Sequence, residues 1–511
     1  MTDNNADTDR ASFYGTLAPG WEFYRRPGAR LTEDKHPALL RSDAAVPDIQ
    51  HEAWHQFDKA HLVMLAENNV IPQSAAVANL KGLREMETAG LIETRRELGH
   101  LAHSGEAYLI STLGEKIAGW IHVGRSSVDL GAVGRRILLR DRLLKIIDQV
   151  IDVVEAHCTI ASTYADAPMP TYTRERHSQV GTFGFYVIAW SLPLQRSIKR
   201  LFQAYAEVNQ SPAGSAAGTT TNFPIERERT AALLGFDGIH EHALDATRGD
   251  VDLSLNILTE LISIMGSVSL AADRLVTWGG SEYQLVDLPD RFFSTSSILT
   301  HKTNPRVLRN VQGGLNTILS TLGSSLTGYG YSGGHSVRLN AQIFDSIVAN
   351  LELWEEALQT VEFDRTRGTD LVLNGWGLAP DLAAQMVRTA GINWRWAHQI
   401  TAILVRESIE AGKSIQSVTV EDVNRAANTY LGESIDIEQS EIDTVIDPGR
   451  AVSERAHVQG SPAPTQVTTQ IQNSRTVLQS TGETLENLRS DLSSADKKLE
   501  TAIDTIIESA D

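Results

Sequence analysis

The 511-residue sequence predicts an all-α protein organised around a bundle of long helices. Three observations predict it. Apolar residues recur at intervals of three and four over stretches far longer than a strand, as in Leu138, Leu139, Leu143, Leu144, Ile147, Val150 and Ile151, and again in Leu308, Val311, Leu315, Ile318, Leu319 and Leu322. Between these runs, from Ile121 to about Arg367, strand signals are few, and a bundle is the architecture that buries several such helices together. The most apolar stretch, Leu253 to Trp278, is punctuated by Asn256, Glu260 and Asp273, which suits a helix buried among helices and not a membrane span.

Taken in order, the pattern divides the chain into four parts. Residues 1–121 read as a mostly helical N-terminal domain. Its leader, MTDNNADTDRAS, has neither the basic nor the apolar region of a signal peptide and reads as disordered, and Pro27, Gly28, Pro37 and Pro47 keep the first fifty residues free of long elements. Residues 122–367 form the helical-bundle domain, with further helices from Phe185 to Val208, around an internal Pro193, and from Val251 to Trp278. Residues 368–465 read as a small helical domain that ends at Pro448, Gly449, Pro462 and Pro464. In 466–511 a helix carries Ile471, Leu478, Leu485, Leu492, Leu499 and Ile506 seven residues apart, with Ser474, Thr481, Leu488, Ala495 and Ala502 three residues further on. A heptad seam so rich in small and polar residues is a weak coiled coil, suited equally to association between chains and to docking on the body of the protein.

Composition narrows the function classes. The chain holds 64 Asp and Glu against 45 Lys and Arg, a net charge of −19, and no Lys/Arg run is longer than a pair. Such a balance disfavours nucleic acid and anionic membranes as partners. The single cysteine, Cys158, excludes an intrachain disulfide and a multi-cysteine zinc cluster, reads as a small core residue, and points to a compartment that is a reducing cytosol or indifferent to redox.

The segment with most chemistry is Thr295-Ser296-Ser297-Ile298-Leu299-Thr300-His301-Lys302-Thr303-Asn304-Pro305, a polar loop just ahead of a helix beginning near Arg306. It delivers hydroxyls, a lysine and an amide to a place where helix N–H groups and the helix dipole favour anions. A Ser/Thr-rich loop with a capping Asn would look the same without any chemistry.

This segment resembles the signature loop of the aspartase/fumarase superfamily, GSSxMPxKxNP. Other blocks follow in order and are similar to argininosuccinate lyase. His122-Val123-Gly124-Arg125-Ser126 resembles HTGRS; Pro170-Thr171-Tyr172-Thr173 with Gln179 and Thr182-Phe183-Gly184 resembles PGYTH…AQPVTFG; Ser211-Pro212-Ala213-Gly214-Ser215, Phe223-Pro224-Ile225 and Leu234-Gly235-Phe236-Asp237-Gly238 resemble SPLGS…FPI…LGFDG. The resemblance covers about residues 50 to 480. It implies a three-domain fumarase/aspartase-type fold, a cytoplasmic homotetramer with active sites shared between subunits, and a cofactor-free, metal-free anti β-elimination releasing fumarate. By resemblance Ser296 is the base, Lys302 and Asn304 clamp the carboxylate, and Thr173 and Ser126 are further donors. Arg125, Arg174, Gln179, Ser297, Tyr331 and Arg338 complete the candidate substrate contacts.

Departures cluster at the substrate. The family's Arg-Asn after the shared Arg-Ser is here Ser127-Val128, and its active-site histidine after Thr173 is Arg174, which binds anions but cannot act as a general acid near neutral pH. His177 is the candidate replacement if its stretch is helical. The family's Asp-Arg-Asp is replaced by Thr247-Arg248-Gly249-Asp250, and its Gln-x-x-Lys has no counterpart near Tyr329 or Tyr331. The expected function is therefore a lyase acting on an N-substituted aspartate whose amine is not necessarily arginine. The alternatives are a true argininosuccinate lyase of arginine biosynthesis and a catalytically idle structural or binding paralogue. The acidic, lysine-poor composition further suggests a halophilic protein.

Overall fold

The computed structural model describes residues 46–98, 101–248, 250–328 and 341–509, without the side chains of 248, 250, 251, 324–328 and 341. The leader and the candidate residues Tyr331 and Arg338 lie outside them.

Five long helices close into a ring: α4 (Ser127–Thr163), α5 (Phe183–Val208), α6 (Asp250–Trp278), α7 (Arg306–Gly328) and α8 (Ala341–Thr360). Each packs on the next, and α8 packs back on α4. α4 starts where Ser126 and Asp129 form a capping box, each side chain bonded to the other's backbone N–H region, which satisfies two of the donors a helix start leaves unpaired. On α6, Leu253, Ile257, Leu261, Ile264, Val268, Ala272 and Leu275 are buried in the bundle. This is the one described helix long and apolar enough to cross a membrane; one face packs on its neighbours, while Leu270 on the other is exposed.

Ahead of the bundle, α1 (Asp48–Glu67), α2 (Gln73–Leu98) and α3 (Ser104–Leu113) gather a second apolar cluster around Phe57, Leu62, Leu80 and Leu109. α4 belongs to both clusters, through Leu130, Val133 and Ile137 to the second and from Leu139 onward to the bundle. Behind the bundle, α9 (Arg365–Asn374), α10 (Ala379–Thr389), α11 (Trp394–Glu410) and α12 (Val420–Leu431) enclose a third cluster around Leu382, Ile400 and Val423.

The heptad helix α13 (Pro464–Glu508) resolves the two readings of its seam for this chain. Ile471, Ser474, Leu478, Thr481, Leu485, Ala495, Leu499, Ala502 and Ile506 are all buried against α4, α5, α1 and α2. Small side chains at half of the seam let the helix lie close. Its outer positions are tied by Arg475 to Glu155 at 2.7 Å, by Arg489 to Asp148, and by Arg84 to Glu500 and Asp504 at 3.0 and 2.7 Å. Cys158 is buried as expected of a core thiol, and burial pushes its pKa up to about 12.

One glycine fixes how α5 meets α4. A Cβ on Gly184 would overlap the Ala161 carbonyl and lie 2.8 Å from Ala165 Cα, and backbone cannot move aside as a flexible side chain can. Gly184→Ala is expected to destabilise the protein by about 1–3 kcal/mol in urea unfolding; unchanged stability would show that the two helices can part at no cost.

Candidate functional site

The signature-like segment folds as a tight hairpin. β3 (Ser294–Thr295) pairs antiparallel with β4 (Thr303–Asn304), Ser294 opposite Asn304 and Thr295 opposite Thr303, so residues 296–302 become a loop at the mouth of α7. Inside it Ser296 Oγ accepts from the Leu299 N–H at 3.0 Å and the Ile298 N–H at 3.4 Å, and the Lys302 N–H donates to Leu299 O at 3.0 Å. Two N–H groups aimed at one hydroxyl oxygen favour its anionic form. Lys302, Ser297 and Leu299 are exposed, Ile298 is 83% exposed, and Asn304 is half-buried with its amide donating to Ser294 O at 3.5 Å.

Thr173 and Arg174 occupy the tip of a second hairpin, β1 (Pro168–Thr173) and β2 (Arg176–Thr182). The two residues that turn the chain, Arg174 and Glu175, have φ of 50° and 60°. A two-residue hairpin turn with both central residues left-handed is normally built from Asn and Gly, because side chains there cost roughly 1 kcal/mol each. The tip is held in place from outside: Arg274 on α6 donates two bonds to the Glu175 carboxylate, at 2.7 and 2.8 Å, and Tyr186 OH accepts the Tyr172 N–H at 2.7 Å. The Tyr172 ring packs beside Trp278 at the end of α6.

The expectation for His177 needs correction. Its stretch is a strand and not a helix, and His177 pairs across from Tyr172 while Thr173 pairs across from Arg176. Side chains alternate along a strand, so His177 shares the face of Tyr172 and Thr173 lies on the other. Its ring packs edge-on against Tyr172 and abuts Gly375, and burial lowers its pKa below the usual histidine value. Burial thus makes it less able than an ordinary histidine to carry the charged form a general acid needs. Gln179 is exposed, and its carbonyl accepts from Thr171 Oγ1 at 2.8 Å.

The third group lies at the start of α4. Asp129, buried, gathers four donors: Ser126 N at 2.8 Å, Ser126 Oγ at 3.0 Å, Ser215 Oγ at 3.0 Å and Ala216 N at 3.1 Å. It thereby joins the Arg125-Ser126 turn to the Ser-Pro-Ala-Gly-Ser loop. Sequence reasoning missed it, although Ser-x-x-Asp ahead of an apolar run is a capping-box signal. Arg125 is turned inward: its guanidinium lies 2.8 Å from Asp58, which also accepts from Arg95 at 2.7 Å. Burial alone would raise the Asp58 carboxyl, but the two guanidiniums outweigh it and hold it below the usual range. In this arrangement Arg125, buried and paired with Asp58, braces the loop and is not a free substrate donor, while the half-buried Ser126 Oγ bonds within the cap. Ser127, next in line, is exposed.

One chain does not unite these groups. Ser126 precedes α4 and the Thr173 hairpin follows it, and a 37-residue helix is about 55 Å long. The signature loop lies at the hairpin end, since Asp273, beside Arg274, accepts from Gln312 of α7 at 2.9 Å. No described hydrogen bond or ion pair joins Ser126, Thr173 and Ser296 directly.

The lyase family profile matches residues 47–319, and that of the argininosuccinate lyase C-terminal region matches residues 376–453. Among curated relatives, the argininosuccinate lyase of Methanothrix thermoacetophila is 31% identical over 460 residues, covering 88% of this chain and 92% of that protein. That of Methanocaldococcus jannaschii is 30% identical over 456 residues, covering 86% and 91%. Among solved structures, EDDS lyase in complex with formate superposes with a TM-score of 0.84 at 30% identity, over 90% of this chain and 92% of that one. An EDDS lyase variant with bound fumarate also gives 0.84, at 29% identity and the same coverage. A fumarate lyase from Mesorhizobium sp. BNC1, at 0.68 and 18% over 83% of this chain and 95% of that one, shares the fold.

The hairpin tip gives a test that separates strain from chemistry. Arg174→Gly removes one left-handed side chain and should leave the protein as stable as the parent or up to about 1 kcal/mol more stable. Turnover should fall if the guanidinium holds substrate. A clear loss of stability would refute the strain.

Proposed function

Because this chain belongs to the lyase family, in its argininosuccinate lyase branch, we propose that it is a carbon–nitrogen lyase that eliminates fumarate from an N-substituted aspartate. The observation that carries the reading is the Ser296 oxygen under two backbone N–H groups, in a loop that also presents Lys302 and Asn304. Ser296 takes a proton from the carbon next to the distal carboxylate. The electron pair becomes the new double bond, and the bond to nitrogen breaks on the opposite face. The carbon acid is far too weak unless the neighbouring carboxylate carries the charge as a dianion, and Lys302 with Asn304 supplies a cation and a donor for it. Closure of the exposed loop over substrate excludes water and strengthens both interactions. Thr173, Arg174 and Ser297 serve as further carboxylate contacts.

The replacement of histidine by Arg174 bears on the amine. An alkylammonium nitrogen, with a pKa near that of lysine at about 10.4, is already protonated at neutral pH. It leaves as a neutral amine without help from an acid. N-alkyl aspartates are therefore the substrate class we favour, and likeness to EDDS lyase, a variant of which holds fumarate, supports this. True argininosuccinate lyase activity is the second reading, favoured by the names of the curated relatives; rescue of an arginine auxotroph tests it.

The site is completed between copies in a homotetramer. Its support is the helix of about 55 Å between Ser126 and Thr173, together with Leu270 on α6 and Leu319 on α7, exposed at 60% and 45% on the bundle helices. A single buried Cys158 fits a cytoplasmic enzyme. The excess of 64 acidic over 45 basic residues, only ten of them lysine, fits a halophilic one.

Three measurements test these points. Across a panel of N-alkyl aspartates, and of fumarate with amines in reverse, at least one compound should change the ultraviolet absorbance of fumarate, with a loss of about 10²-fold or more in Ser296→Ala; silence in both directions would sink the proposal. Ser126→Ala and Ser296→Ala proteins, each impaired alone, should regain activity when dissociated and reassembled together, whereas a pool that stays as poor as its parts would place the site within one chain. Activity and Tm should rise with molar KCl, and a flat response would remove the halophilic reading.

A further inference from the structure

The turns ahead of Arg125 carry a second group of polar side chains that the elimination leaves unused. His103 and Glu106 stand three residues apart where the short turn Leu101–His103 runs into α3. His122 closes the turn Gly119–His122, three residues before Arg125. His103 and Glu106 are buried, and His122 is partly open to solvent. Glu106 Oε2 lies 3.2 Å from His122 Nδ1 and 3.7 Å from His103 Nδ1, and one ligand atom from each residue falls within 4.8 Å of the other two.

We propose that His103, Glu106 and His122 form a binding site for one divalent transition-metal ion of the Zn²⁺ class, with a coordination position left open on the solvent side of His122.

The spacing is what such an ion requires. With metal–nitrogen and metal–oxygen distances of about 2.1 Å, two ligands on a tetrahedral centre stand about 3.4 Å apart. The two observed separations lie within a few tenths of an ångström of that value. Two imidazoles and one carboxylate are a borderline donor set that takes Zn²⁺ or Co²⁺ in preference to Mg²⁺ or Ca²⁺, which seek oxygen ligands. Asp58 faces both Arg95 and Arg125, which leaves Glu106 as the carboxylate the two imidazoles share. A bound ion would join α3 to the turn at 119–122 and so hold the stretch that leads to Ser126 and the start of α4. Hydrogen bonding alone could also gather these three side chains, and metal binding separates the two cases.

The experiment uses the full chain without an affinity tag, stripped with EDTA, freed of EDTA, given Zn²⁺ and passed through gel filtration. One Zn²⁺ per chain should be retained, with a Tm several degrees above the stripped protein, and Mg²⁺ should do neither. Co²⁺ should give visible bands of a four- or five-coordinate nitrogen and oxygen site with no thiolate charge transfer. Glu106→Gln and His103→Ala should lose retention, their own metal-free melting being read alongside so that misfolding is recognised. Failure of the parent protein to retain Zn²⁺ overturns the proposal whatever the variants do, and undiminished retention by two folded variants overturns it as well.

Discussion

The architecture depends on α4. Its 37 residues make a rod about 55 Å long, begun by the Ser126–Asp129 cap and ended where Tyr164 leads into the Thr173 hairpin. The rod is a wall of the bundle and a wall of the N-terminal cluster, so both cores are set by one element. It also holds Ser126 and Thr173 at opposite ends of one rigid helix, so a site that used both, as proposed above, would need a second copy running alongside.

Single buried carboxylates do much of the local ordering. Asp129 receives four donors from two loops, and Asp58 receives one guanidinium from α2 and one from the Arg125-Ser126 turn. Removing either partner from such a group leaves a buried charge uncompensated, which costs far more than the pair contributes over an apolar substitute. These two carboxylates hold the Arg125-Ser126 turn in one place. The hairpin tip works differently, storing backbone strain at Arg174 and Glu175 that Arg274 restrains from outside.

Much of this was legible in the sequence, for reasons specific to each element. The bundle helices announced themselves because apolar residues at three and four spacing have one simple way to be buried. The Ser296 loop was legible through its motif, and its hairpin geometry follows from four residues of pairing too short to show as a pattern. His177 was misplaced because period-two and helical readings of six residues cannot be told apart, and the strand puts it on the wrong face. Arg125 looked like a substrate ligand because a sequence shows a guanidinium without its partner, and the partner, Asp58, lies 67 residues earlier in another helix. The direction of the heptad seam was likewise undecidable until the surface beneath it existed.

That surface carries a consequence for how the polypeptide is made. Leu499, Ala502, Ile503 and Ile506 complete the apolar cluster whose other walls include α1, α2, α3 and the start of α4. A ribosome emits α1, α2 and α3 long before the closing residues of α13, so this cluster is sealed late relative to its own walls. Until α13 emerges, Phe57, Leu80 and their neighbours have an open side facing solvent, the condition in which nascent chains attract chaperones or one another. The position of α13 therefore makes a helix synthesised far downstream a checkpoint for the cluster built by α1, α2 and α3.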